Sequence, residues 1–143
     1  MNHLINAMLG FLMLFLLVGD AVAADAKPAD SAKKVLVYTR NHVTNGKGFV
    51  HDNIQSSVDA IKKLGEENGF GVDVSADPEV FNPENLKQYA AIIFSNSNNE
   101  AFETQSQRDS FRRYIRGGGA VVGIHSASGS ERERPWCWTL LGG

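Results

Sequence analysis

The sequence predicts an α/β fold in which a doubly wound, mainly parallel sheet lies between two layers of helices. Three observations predict this fold. Short apolar runs are typical of strands buried on both faces, segments with helical spacing separate them, and strands and helices alternate without an internal repeat. A chain of 143 residues, 43% of them hydrophobic and with a formal charge of −2, suits one globular domain.

The first strand and the first helix follow from local patterns. Residues 34–39 form a continuous apolar run, which predicts a buried strand. The next apolar residues recur at helical spacing over residues 51–64: Ile54, Val58, Ile61 and Leu64. Asn68 and Gly69 then end this helix, because both residue types tolerate a positive φ.

Three further strands and a second helix complete the pattern. We expect strands at residues 70–75, 90–94 and 120–124, a helical turn within 82–89, and a helix over about 103–116. The spacing of Phe111, Tyr114 and Ile115 directs them inward from that helix. The glycines at 117–119 stop the helix and form the turn into the last strand, so they are not interpreted as a nucleotide-binding loop.

The end of the sequence differs from an ordinary terminus. Residues 131–143 finish on an apolar, glycine-rich run without a charged closing segment. Four strands and two helices also leave one sheet edge open and apolar surface uncovered. We therefore expect the domain at residues 34–143 to be the N-terminal portion of a larger fold, incomplete on its C-terminal side.

Residues 1–23 are predicted to be a signal peptide. Residues 7–18 are an apolar run too short to span a bilayer comfortably, and Ala21-Val22-Ala23 is a small-x-small cleavage pattern. The preceding residues carry no Lys or Arg, which leaves an uncleaved membrane anchor as the alternative. We expect cleavage near Ala23, a disordered linker at residues 24–33, and export to the periplasm or the cell exterior. Membrane contact is expected only through the signal segment.

Charge and cysteine content exclude several classes of protein. The 14 basic and 16 acidic residues are mixed along the chain, so no basic surface for nucleic acid is expected. The single cysteine, Cys137, cannot pair within the chain and cannot build a cysteine-based zinc site. The sequence does not determine the oligomeric state.

Polar segments follow three of the predicted strands and define the expected site, at residues 40–52, 95–99 and 125–130. In doubly wound sheets, ligands bind outside the carboxyl ends of the strands. Asn45-Gly46-Lys47-Gly48 lies in the first segment, but its spacing fits neither GxxxxGK[ST] nor GxGxxG. We therefore interpret it as a loop and not as a phosphate-binding motif.

Two histidines in these segments are candidate acid/base residues. His51 opens the first helix beside Asp52, whose carboxylate could orient the imidazole. The alternative is a helix-capping Asp52 with an exposed His51. Gly123-Ile124-His125 has the layout of a nucleophile elbow, which places the imidazole of His125 at the apex. Ser126 follows the apex and is therefore not predicted to be a serine nucleophile. The alternative for His125 is a buried, hydrogen-bonded histidine.

Spacing does not support a metal site. His42, His51 and His125 come from different loops and show no HxH or HExxH pattern, so neither a metal nor another cofactor is predicted. Trp136 and Trp138 either stack on a sugar ring or cover the core.

The sequence resembles the ThuA-like (trehalose-utilisation) family, which has the flavodoxin-like fold of class I glutamine amidotransferases. The resemblance spans about residues 34–143, and the family pattern continues past Gly143. It is carried by Gly48-Phe49-Val50-His51-Asp52, by Phe94-Ser95-Asn96, by the run from Gly117 to Ala127, and by the segment from Pro135 to Gly143. The chain departs from the family at Cys137, where the family tends to have an aromatic residue.

The resemblance implies a role in carbohydrate metabolism, on a trehalose-type disaccharide or an oxidised (keto) sugar. It places His125 where glutamine amidotransferases carry their cysteine nucleophile, so glutaminase activity is not expected. His125, His51 and Asp52 are then the expected catalytic residues. The expected substrate contacts are Arg40, Asn96, Ser126, Trp136 and Trp138. A non-catalytic carbohydrate-binding module and an inactive fragment are the alternatives.

Overall fold

The computed structural model describes residues 33–43 and 49–140 of the chain. Its strands are β1 (Lys34–Tyr38), β2 (Gly71–Ser75), β3 (Ala91–Ser95) and β4 (Ala120–Ile124). Its helices are α1 (Ile54–Asn68), α2 (Pro83–Leu86), α3 (Gln105–Arg116) and α4 (Pro135–Leu140), with 3-10 turns at Pro78–Val80 and His125–Gly129. The predicted signal peptide and residues 24–32 of the predicted linker lie outside the described residues. No helix in the described ranges has the length and apolarity that a bilayer crossing requires.

The described strands form one parallel sheet in the order β2-β1-β3-β4. This order matches the first four strands of the flavodoxin-like order 2-1-3-4-5. In that order β2 is added on one side of β1, and β3 and β4 are added on the other side. The helical connections that parallel strands require are present, with α1 between β1 and β2 and α3 between β3 and β4. The predicted α/β class and doubly wound arrangement are confirmed.

The sheet has an apolar core on each face, which makes the fold three layers deep. On one face, Val37 of β1 packs with Val58 and Ile61 of α1. The other face is rich in aromatic side chains, with ring centroids 4.7 to 6.3 Å apart: Tyr38, Phe81, Phe94, Phe102 and Phe111. Successive residues of β1 thus enter opposite cores, as a strand buried on both faces requires.

Helix α1 differs from the prediction at its N-terminal end. It begins at Ile54 and not at His51, with Asn53 as its N-cap residue, and it continues to Asn68. Gly69, at φ 70°, ends it as expected. Leu64 was expected on the inward face but is 51% exposed. The residue that faces inward there is Gly65. The buried face of α1 thus ends at Gly65 and not at the predicted Leu64.

Gly65 is needed because α1 lies very close to β2 at this point. A Cβ at Gly65 would be 2.7 Å from the carbonyl oxygen of Phe70 and 2.8 Å from Cγ2 of Val72. Neither atom can move freely, since one is backbone and the other belongs to a strand in the sheet. The close approach of helix and strand therefore depends on the missing side chain.

We expect Gly65→Ala to destabilise the fold, although alanine is the better helix former. Separating α1 from β2 should lower the free energy of unfolding by about 1 to 3 kcal/mol. Urea denaturation followed by circular dichroism measures this. Lys62→Ala, at an exposed position of the same helix, is the control and should change stability by less than about 0.5 kcal/mol. A Gly65→Ala variant as stable as the control would contradict the close contact.

An ion pair and a phenol join β1, β2 and the segment before β3. The Asp73 carboxylate lies 2.6 Å from Nζ of Lys34 and accepts a hydrogen bond of 2.7 Å from the Tyr89 hydroxyl. Burial by itself would raise the pKa of Asp73, but the hydrogen bonds from Lys34 and Tyr89 outweigh it and lower that pKa. Burial and the hydrogen bond to Asp73 raise the pKa of Tyr89 to about 12.

The lowered pKa of Asp73 predicts a pH-dependent contribution to stability. A carboxyl group with a lowered pKa stabilises the fold above its unfolded-state pKa of about 4, and the effect is lost as pH falls through the folded-state pKa. Asp73→Asn should therefore cost up to about 1 kcal/mol at pH 7 and less at pH 3. Urea unfolding of both proteins at the two pH values measures the difference. An unchanged difference at both pH values would contradict the assignment.

Candidate functional site

Three loops meet at the carboxyl edge of the sheet, which here means residues 39–43, 96–99 and 125–131. The backbone of Asn41 forms a parallel bridge with Asn98, and Asn99 forms another with Ser130. Asn99 also donates from Nδ2 to the carbonyl oxygen of His42 at 2.7 Å. The predicted convergence of the three polar segments is confirmed for the described residues.

Backbone strain is concentrated at the same edge. In the parts of the chain that the structure describes, the non-glycine residues with positive φ are Asn96, Asn99, His125 and Glu131, at φ 52° to 59°. All of them belong to the carboxyl edge. A left-handed conformation is unfavourable for residues with a Cβ, and such strain collects where a ligand or a reaction needs a particular side-chain direction. Asparagine tolerates this conformation better than most residues, so His125 and Glu131 are the stronger markers of strain at this edge.

His125 lies at the apex of a sharp turn, as the elbow pattern predicted. It is the first residue after β4, has a φ of 53°, and begins the 3-10 turn His125–Gly129. Its neighbours are small, and Gly123 and Ala127 pack so closely that a Cβ on Gly123 would lie in van der Waals contact with Cβ of Ala127 at 3.4 Å. The His125 side chain is exposed, so it is not the buried histidine of the alternative interpretation.

His51 and His125 are brought together although 73 positions separate them in the sequence. Their ring centroids lie 4.5 Å apart, with the ring planes at 86°. We call these two residues the histidine pair. Phe49 extends it, with its ring centroid 4.8 Å from that of His51. Two groups that can each give or take a proton near neutral pH therefore share one surface at the carboxyl edge.

Three buried polar atoms in the loops of the carboxyl edge have no hydrogen-bond partner among the described residues. They are Oδ1 of Asn41, Oδ1 of Asn96 and Oγ of Ser126, one from each loop of the carboxyl edge. Asn96 is fully buried, and its Nδ2 makes only a long contact of 3.5 Å with Oγ of Ser95. Buried polar atoms are nearly always paired, so such atoms indicate a place for a ligand or an ordered water.

Arg40 is occupied by the protein itself. Its Nη2 forms an ion pair with Glu103 at 2.8 Å and lies 3.1 Å from Nδ1 of His42, while its Nε donates to the carbonyl oxygen of Glu100. Arg40 therefore connects the loop after β1 to the segment before α3. His42 belongs to this contact, and the described residues include no group of three metal-ligating side chains.

The other predicted site residues lie in different surroundings. Asp52 is exposed, and no hydrogen bond in the described part joins it to His51; it also leaves the capping position of α1 to Asn53. Trp136 packs on α3, with its ring 5.8 Å from Phe111 and 4.5 Å from the guanidinium of Arg112. The side chain of Trp138 lies outside the described part. Their roles in substrate contact stay predictions.

A buried ion pair holds two loops of the carboxyl edge in place, and sequence reasoning missed it. The Glu131 carboxylate accepts from Arg108 at 2.7 Å and from the backbone N–H of Phe102 at 3.1 Å. The backbone N–H of Glu131 donates to Asn99 at 2.7 Å. One residue thus fixes the loop after β4 to α3 and to the loop after β3. In the sequence both charges look like ordinary surface charges, so no local signal identifies the pair.

Fold and site together define a doubly wound α/β domain with an imidazole at the elbow. The sequence pattern of the ThuA family, described as trehalose utilisation, matches residues 34–143. The chain belongs to this family. Its solved relatives include a ThuA-like protein from Bacteroides uniformis ATCC 8492, with a TM-score of 0.61 and 28% sequence identity.

The match to the Bacteroides uniformis protein is unequal in length. It covers 83% of this chain but 47% of the solved protein, so the chain spans about half the length of that relative. No curated protein matches the chain.

Removing the charge of Glu131 should destabilise the fold strongly. Glu131→Gln leaves the Arg108 guanidinium buried without its counter-charge, which should cost about 3 to 5 kcal/mol of unfolding free energy. Adding Arg108→Leu to that variant should restore part of the loss. Chemical denaturation of the single and double variants measures both effects. Glu133→Gln, two residues away and exposed, is the control. Equal stability of Glu131→Gln and the control would contradict a stabilising ion pair.

Proposed function

We propose that the chain acts on a carbohydrate at the carboxyl edge, using His125 and His51 as acid and base. The observation that carries this proposal is the contact of the two imidazole rings at 4.5 Å. The trehalose-utilisation family to which the chain belongs supports a sugar as the substrate class. A trehalose-type disaccharide or its keto derivative is the substrate we propose.

The unpaired polar atoms of the carboxyl edge support a neutral ligand rich in hydroxyl groups. The amide oxygens of Asn41 and Asn96 are buried acceptors, which a hydroxyl group or an ordered water can satisfy. Ser126 can accept or donate. Because Arg40 is already paired with Glu103, it does not call for an anionic group on the ligand. A sugar fits this combination better than a phosphate or a carboxylate.

Two neighbouring imidazoles suit the chemistry of a keto-glycoside. A keto group acidifies the adjacent C–H bond, so a neutral imidazole can remove that proton as a base. The electron pair of that C–H bond then forms a C=C bond to the anomeric carbon as the glycosidic C–O bond breaks, and a protonated imidazole delivers its proton to the departing oxygen. This route requires no cysteine nucleophile, in agreement with the imidazole at the elbow.

We also propose that the protein works outside the cytoplasm. The apolar run at residues 7–18 and the small residues up to Ala23 support cleavage and export. Outside the cytoplasm the fold relies on its core alone, because the single cysteine cannot pair within the chain.

A binding function without catalysis is the second candidate, and one observation favours it. Catalytic histidines are commonly held by a hydrogen-bonded partner that fixes the ring and its tautomer. In the described ranges no hydrogen bond holds either His51 or His125. A carbohydrate-binding module would not need that orientation.

His125→Ala should separate the two candidates. If the pair is catalytic, turnover should fall at least about 100-fold while affinity for the sugar changes less than tenfold, since the lost group acts on protons. Trehalose and a keto derivative of it serve as substrates, with monosaccharide release followed by NMR and affinity measured by calorimetry. His51→Ala should behave in the same way.

His42, which lies outside the histidine pair, provides the matched comparison. His42→Ala should reduce turnover less than either variant of the pair, because His42 contacts Arg40 instead. Similar losses for all three variants would favour a shared metal over acid/base catalysis. Binding by the unaltered chain without any turnover would sink the enzymatic proposal and support the binding module.

A further inference from the structure

Resting on the proposed function, we infer that Phe49 is the platform on which the ring of the sugar stacks. Phe49 was part of the pattern that carried the family resemblance, but no role was predicted for it. In the structure its ring extends the histidine pair, 4.8 Å from His51 between centroids and with the planes at 70°. It is therefore the aromatic side chain in direct contact with the proposed catalytic groups.

The exposure of Phe49 supports a ligand contact. Its side chain is 64% exposed, the highest value among the large hydrophobic residues of the described ranges. Contact of a phenyl ring with water is unfavourable, and folding normally removes it by burial. An exposed phenyl ring beside a polar site therefore indicates a surface that binds a ligand. The neighbouring Val50 is also exposed, which extends the apolar surface by one residue. Apolar ligand surface placed here would remove both from water.

A pyranose ring with equatorial hydroxyl groups matches this arrangement. Its axial C–H bonds form an apolar face, which can lie on an aromatic ring and gain the hydrophobic and dispersion energy of the contact. Its hydroxyl groups point outward around the rim, where the imidazoles of His51 and His125 can exchange hydrogen bonds with them. The inferred specificity is thus for a cyclic sugar over an open-chain polyol that has similar hydroxyl groups but no flat apolar face.

The tryptophan predicted for stacking has other contacts. Trp136 packs on Phe111 and lies under the guanidinium of Arg112, both on α3. Phe49, in contrast, shares its ring contact with His51 of the histidine pair. The inference therefore assigns stacking beside the histidine pair to Phe49, while the predicted role of Trp136 stays a prediction.

Proton NMR titration with methyl β-glucopyranoside tests the inference. Stacking on a phenyl ring should shift the axial C–H resonances of the glucoside upfield in the unaltered chain. Phe49→Ala should abolish these shifts and weaken binding about tenfold, whereas Phe49→Tyr should retain both. Sorbitol, the open-chain comparison, should bind more weakly and respond little to Phe49→Ala. Leu64→Ala, another exposed apolar position, should bind the glucoside like the unaltered chain.

The outcomes separate this inference from the proposed function. If the unaltered chain and Phe49→Ala bind the glucoside equally, Phe49 is not the platform, while a sugar site at the carboxyl edge still stands. If the glucoside binds without upfield shifts, the same conclusion holds. If the unaltered chain binds neither the glucoside nor trehalose, both the inference and the proposed function are overturned. Thermal unfolding of each variant checks that the fold is intact.

Discussion

The parallel hydrogen-bond ladder between β3 and β4 is the constraint on which the candidate site depends. Its register pairs Ser95 with Ile124, the last residues of the two strands. The backbone N–H of Asn96 then donates to Ile124 at 3.2 Å, so the ladder continues one step beyond the strands. His125 and Asn96 must therefore leave the sheet side by side. Both residues adopt a left-handed φ at that point, which turns the segments after β3 and β4 away from the sheet together.

The strained backbone conformations at this edge persist because contacts on both sides hold the residues in place. Each left-handed residue costs about 1 to 3 kcal/mol and requires compensation elsewhere. The ladder and the aromatic core lie on one side of the strained residues. On the other side, Glu131 is fixed through its side chain to Arg108 and through its backbone to Asn99. The chain between His125 and Glu131 is thus held at both ends, and its conformation follows from these two attachments.

The sequence was informative where burial dictates residue type. Apolar runs located β1, β3 and β4, although β4 lies at the edge of the described sheet and is largely exposed there. Parallel topology then placed His51 and His125 at one edge. Features that depend on three-dimensional neighbours could not be predicted. Leu64 faces solvent because Gly65 takes the close contact with β2, and Glu131 is buried only because Arg108 lies opposite. Helix α4 has six residues, too few for periodicity to reveal.

The two halves of the histidine pair are anchored differently. The His125 side belongs to loops tied to the core, since Glu131 binds Arg108 and the Tyr38 hydroxyl donates to Ala101 at 2.5 Å. Burial raises the pKa of Tyr38 well above its usual value, so this donor keeps its proton throughout the physiological range. The His51 side enters α1 at an N-terminus that has no side-chain cap. The two imidazoles thus come from segments with different attachments to the core, and their ring contact at 4.5 Å is where the two segments meet.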